Sequence, residues 1–282
     1  MKFRLLTIGL ILCTEVKSQN FFTTAFAGAS NYAGDIQDKA FTLIRAKPAW
    51  GIGLMFELNP RMLIRADMSF AKLYANDKFS KINQARNLSF NSDITEFSVG
   101  FEYVLFDLYE HKVSPYVFTG VGIFKFSPYV EASNGSRIIL SELDTEGQGF
   151  YQGRKKYNLR QLCIPFGGGL QWALTDNKRI AFVIGVRKTF TDYLDDVSTT
   201  YIDENLLRQQ RGAQAVKMAY RGDELSNGAS YPQDGAIRGN PKSKDLYYFT
   251  GVSMRFRIGG KKKVKEPSVK IRRGSIPCPK PF

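Results

Sequence analysis

Side chains able to do acid–base or metal chemistry are few in this 282-residue chain. It has one histidine, His111, the residue type whose ordinary pKa best suits proton transfer near neutral pH. No nucleophile or carboxylate recurs at a spacing that would pair with it. No G-x-S-x-G, phosphate-binding glycine loop or Cys/His metal spacing occurs. Asp192, Asp195 and Asp196 form a tight carboxylate group. Oxygen ligands so close could take Ca²⁺. Aspartates in a turn-rich stretch also cap their own backbone, and that is the reading favoured here. No catalytic residue and no cofactor is assigned.

A larger set of charges sits at alternate positions inside apolar runs: Glu57, Arg65, Asp67, Glu96, Glu102, Arg187, Arg255 and Arg257. Successive side chains of a strand point to opposite faces. Each of these charges therefore shares a face with glycine and serine, while the other face is apolar. In the run 94–105, Phe97, Val99, Phe101, Tyr103 and Leu105 alternate with Glu96, Ser98, Gly100 and Glu102. Four acids and four bases facing one interior would neutralise one another, avoiding the several-kcal/mol penalty of an unpaired buried ion.

Eight segments carry that alternation, at about 22–31, 48–58, 62–74, 94–105, 114–126, 159–174, 179–190 and 246–258. The fifth is apolar on both faces, so its facing is ambiguous. Connections at 59–60, 107–113 and 175–178 are short. Those at 32–47, 75–93, 127–158 and 191–245 are long. Strict alternation of short and long predicts an all-β fold: an eight-stranded antiparallel transmembrane β-barrel with long external loops, short periplasmic turns and both termini in the periplasm. A lipocalin-like soluble barrel would turn its continuous apolar face inward, which the charged, glycine-rich second face opposes. An eight-strand interior is filled by side chains, so no open pore is expected. Mean hydropathy of −0.25 hides such strands, whereas 13% aromatic residues fit the girdles of a barrel. In the last loop, 203–218 reads as a short amphipathic helix interrupted by Gly212.

Residues 1–18 read as a signal peptide, with Lys2 and Arg4 before a short apolar run and cleavage ahead of Gln19. A lipid anchor at Cys13 is opposed by the bulky Leu12. Residues 19–259 are the outer-membrane barrel and 260–282 a basic, proline-rich periplasmic tail. The tail's eight bases against one acid hold half of the net charge of +14. An exported chain meets little nucleic acid, so an acidic protein or outer-membrane lipid is the expected partner. Lys261, Lys262, Lys263, Lys265, Arg272 and Arg273 are the candidate contacts, with Cys278 available for an intermolecular disulfide.

Three stretches carry a family resemblance: Gly28 to Asp35 (GASNYAGD), Pro115 to Gly122 (PYVFTGVG) and, the most specific, Arg187 to Thr199 (RKTFTDYLDDVST). In these the chain resembles the PorG-like outer-membrane barrel proteins of the Bacteroidetes type IX secretion system. The resemblance implies a non-enzymatic protein that contacts a periplasmic ring of the lipoprotein PorK and its partner PorN, supporting protein secretion or gliding motility. The alternative is a stand-alone small barrel serving adhesion or envelope stability.

Overall fold

The computed structural model describes residues 21–37, 42, 45–80, 82–132 and 134–259. The expected signal peptide, and the tail with Cys278 and its lysines and arginines, lie outside the described residues.

Among the described residues nine strands form: β1 (Phe21–Ala33), β2 (Lys47–Asn59), β3 (Met62–Asn76), β4 (Ser89–Val104), β5 (Val113–Glu131), β6 (Arg137–Ile139), β7 (Arg160–Thr175), β8 (Lys178–Thr189) and β9 (Leu246–Ile258). Eight pair antiparallel around a ring, and β9 closes on β1 from Phe21↔Ile258 to Ala33↔Leu246. β6 is a three-residue addition on the tip of β5. Stepping through register partners from Phe21 via Phe56, Ile64, Phe101, Thr119, Phe166, Val186 and Tyr248 returns to β1 at Asn31, ten residues further along. Closure with such a stagger tilts the strands and leaves an interior just wide enough for side chains.

The outer wall is apolar. Ile52, Phe101, Val121 and Leu162 are 57–68% exposed, and each lies on the face that alternation turns outward. No helix among the described residues is long and apolar enough to cross a membrane; the strands supply the membrane-facing surface instead. At 12–19 residues the eight ring strands exceed the roughly 9–11 that a bilayer requires. The surplus lies at the long-loop end, where β3, β4 and β5 continue above the apolar band.

The fifth segment's facing is now defined. Tyr116, Phe118, Phe124 and Phe126 are buried inside, and Val117, Val121 and Ile123 face out. The inner aromatics are why both faces read as apolar. Inward glycines make room for them. A Cβ on Gly100 would lie 2.2 Å from the Thr119 carbonyl oxygen, and one on Gly185 would lie 2.8 Å from the Phe118 ring. Two apolar clusters fill the lumen. One, around Phe22, Met55, Leu63 and Tyr116, lies toward the short turns. The other, around Tyr32, Phe90, Phe124, Tyr247 and Phe249, lies toward the long loops and includes the buried thiol of Cys163. Between them a cavity of about 30 Å³, lined by Arg65, Asp67, Phe118 and Arg187 among others, holds one or two waters at most. Planar bilayers loaded with the purified protein should therefore show no porin-sized conductance steps; steady large steps would contradict the filled lumen.

Candidate functional site

The inward charges lie in three tiers, and each tier joins strands across the barrel. Nearest the short turns, Glu57 of β2 receives Arg179 of β8 at 3.0 Å and Arg257 of β9 at 3.4 Å. The Tyr109 hydroxyl lies 2.8 Å from Glu57 Oε1. In the middle tier Glu102 of β4 pairs with Arg65 of β3 at 3.1 Å and with Arg255 of β9, while Arg65 also holds Asp67 at 2.7 Å. Toward the long loops Glu96 of β4 pairs with Arg187 of β8 at 3.1 Å and accepts from the Tyr247 hydroxyl at 2.7 Å. Each arginine also lies over an aromatic ring: Arg65 on Phe118, Arg187 on Phe249, Arg255 on Tyr116, and both Arg179 and Arg257 on Phe22. All eight sequence-selected charges thus enter these tiers. Arg179 and the tyrosines were missed. Arg179 shares the odd-numbered face of β8 with Arg187, so alternation could have found it; its place beside a turn concealed it.

The second site is a cap formed by the long loops, centred on 192–199. Asp203 caps α1 (Glu204–Arg211) by accepting from the Leu206 amide at 2.8 Å, and Gly212, at φ +83°, turns the chain into α2 (Ala213–Ala219). Asp192 accepts from the Ser198 hydroxyl at 2.7 Å. Asp196 accepts from Thr145 at 2.5 Å and from Tyr157 at 2.6 Å. Asp195 and Asp245 both meet the Tyr32 hydroxyl, at 2.6 and 2.9 Å. That phenol has one proton, so the second carboxylate bonds only when it carries a proton itself. Glu146 accepts from the Ser198 and Thr199 amides and pairs with Arg238 at 2.9 Å. Arg86 pairs with Asp77 and donates to the carbonyls of Asp35 and Arg238, joining three loops.

Asp192, Asp195 and Asp196 do not converge. Each is spent on a different hydroxyl, and among the described residues no group of three His, Cys, Asp or Glu side chains is placed to hold a metal ion. Only Asp195 makes the backbone turn bond expected of a capping aspartate, accepting from the Val197 amide at 3.0 Å; Asp192 and Asp196 accept from side-chain hydroxyls instead. Glu146, Arg238 and Asp245 had no sequence signal, because their partners lie tens of residues away, and Arg86, nine residues from Asp77, sits in a stretch with no strand alternation. His111 is exposed in the turn after β4, with Phe106 for a ring neighbour and Nδ1 3.3 Å from the Asp107 carbonyl oxygen.

Burial dominates the cap's proton affinities. It pushes Asp192 and Asp196 up to about 6 despite their hydroxyl partners, and it lifts Asp195 and Asp245 well above the carboxylate range. The folded cap therefore holds protons that the opened loops release above a pKa near 4. The stability these four carboxyls contribute is fully present below about pH 4 and is lost as pH rises through 6 and beyond. Amide protection across 192–199, corrected for intrinsic exchange, should be lower at pH 8 than at pH 5 while strand amides stay unchanged. Asp195→Asn should flatten that difference.

In the lumen, removing one buried partner leaves uncompensated charge. Glu102→Gln strips both Arg65 and Arg255 of their shared carboxylate and should cost about 3–5 kcal/mol, read from denaturation midpoints in detergent. Asp93→Asn, which breaks the exposed Arg137–Asp93 pair (2.8 Å), should leave the midpoint almost unmoved.

Among solved structures the chain is similar to Neisserial surface protein A, at 8% identity and TM-score 0.42 over 84% of this chain and 97% of that one. It is also similar to the attachment invasion locus protein Ail of Yersinia pestis, solved with the heparin analogue sucrose octasulfate, at 10% identity and TM-score 0.38 over 84% and 98%. A third is outer membrane protein OprG of Pseudomonas aeruginosa, at 8% identity and TM-score 0.37 over 86% and 97%. Likenesses this distant add nothing to what the strand register already shows. No curated protein matches the sequence. Residues 2–213 match the model of a family described as a domain of unknown function, DUF6089.

Proposed function

We propose, from the premise that this chain belongs to the DUF6089 family, that it is a non-enzymatic outer-membrane anchor rather than a channel or a catalyst. The observation that carries this reading is the lumen. Three ion-paired tiers and two apolar clusters fill it around a cavity of about 30 Å³. A barrel filled this way offers a protein partner its loops and its chain ends rather than its interior. We further propose that the anchor belongs to the type IX secretion system and contacts a PorK/PorN-like periplasmic ring. Support comes from the RKTFTDYLDDVST stretch and from the basic tail. β9 ends at Ile258 and β1 begins at Phe21, both at the short-turn end. In outer-membrane barrels the short turns face the periplasm, which would put 260–282 beside a periplasmic partner.

The test removes residues 260–282 from the full chain in its native host and checks that the barrel still shows heat-modifiable migration. Secretion should fail, and ring lipoproteins should no longer co-purify from detergent-solubilised envelopes. Secretion at the wild-type level, with adhesion or envelope integrity altered by loop substitutions instead, would favour the stand-alone barrel.

A further inference from the structure

Four cations stand on the outer wall just beyond the apolar band, at its long-loop edge. Lys72 of β3, Lys125 of β5, Arg160 of β7 and Lys188 of β8 are all exposed. Each is two residues past an outward apolar side chain: Phe70, Ile123, Leu162 and Val186. The strand stagger brings the four to a common height over one side of the barrel. On the other side, Leu246 of β9, Asn31 of β1 and Pro48 of β2 occupy that height and carry no charge.

Lys125 and Arg160 are direct register partners on neighbouring strands, with side chains on the same outer face. Like charges placed directly opposite are destabilising, and neither has an anion within the protein. Lys72 lies opposite Asp93, whose Oδ2 is bonded by Arg137 at 2.8 Å and which makes no ion pair with Lys72. Among the described residues none of the four makes an ion pair. A repulsive pair with no internal acid, set where the hydrocarbon ends, calls for an external anion. Long basic side chains there lay their stems on apolar surface and raise their heads to the phosphate level, and guanidinium suits phosphate oxygens.

We propose that this arc binds a lipid whose headgroup carries phosphate, in the leaflet on the long-loop side, and that it gives the barrel a preferred lipid-binding flank over β5, β7 and β8. The acyl chains of such a lipid lie along Ile123, Leu162 and Ile184, which are exposed directly below.

The full chain is refolded into phosphatidylcholine nanodiscs containing a minor fraction of phosphatidylglycerol, and retained lipid is counted by native mass spectrometry after detergent release. The wild type should keep phosphatidylglycerol enriched over its bulk share. K72Q/K125Q/R160Q/K188Q should lose that enrichment at least tenfold. The charge-matched loop variant K78Q/K155Q/K217Q/K242Q should keep it. Heat-modifiable migration verifies folding, and K125Q/R160Q, expected to lose most of the effect, serves if the quadruple variant fails to fold. Equal retention by the arc variant, equal loss from the loop variant, or complete stripping by excess inorganic phosphate would each overturn the proposal. The last outcome would mark a site for any small anion rather than for a lipid.

Discussion

Backbone amides that face hydrocarbon have no water to bond, so a sheet that crosses a membrane must close on itself. In this chain closure is achieved with eight long strands and a ten-residue stagger, and the narrow interior follows from those two quantities. Inward side chains on opposite walls are then within reach of one another. β4 supplies Glu96 and Glu102, and their arginines come from β8, β9 and β3. β2 supplies Glu57, and its arginines come from β8 and β9. Apart from Arg65–Glu102, which joins hydrogen-bonded neighbours, and Arg65–Asp67 within β3, these ion pairs act as struts between strands that share no backbone bond, and the stacked aromatic rings hold each guanidinium in place. Removing Glu57 disturbs two strands across the barrel, β8 and β9, at once.

The long loops obey the same rule of satisfaction by a different route. They have no ladder to occupy their polar groups, so side chains do it. Glu146 takes two backbone amides and an arginine, and Arg86 takes carbonyls from two other loops. The stretch 192–199 lies at the centre of this network. Its aspartates are buried and bonded within the protein, so they serve the build of the cap. A partner would meet other residues.

Much of the barrel was legible because two-residue periodicity is a local property. The outward set Phe97, Val99, Phe101 and Tyr103 could be listed from the chain alone, and the α1–α2 break at Gly212 was visible as a glycine in a helical pattern. What was not legible has identifiable causes. β5 runs on to Glu131 and pairs with β6, but Ser127 and Pro128 in its path read as a turn. β4 begins at Ser89, five residues earlier than alternation suggested, because its upper residues are Ser, Asn and Asp. The cap depends on Glu146 meeting Ser198 and Arg238, contacts that only the folded barrel brings together. The basic arc escaped notice because its four members lie on four strands, and only the register sets them at one height.

Cys163 gives the molecule a built-in chronometer. Its thiol is sealed on the inner wall of β7, with Tyr247 3.8 Å away and the upper apolar cluster around it. A small alkylating reagent reaches that sulfur only while the cap or the ring is open, so the rate at which Cys163 is labelled measures how often the folded protein parts. No foreign dye or engineered cysteine is needed to follow insertion into a bilayer or the lifetime of the finished state.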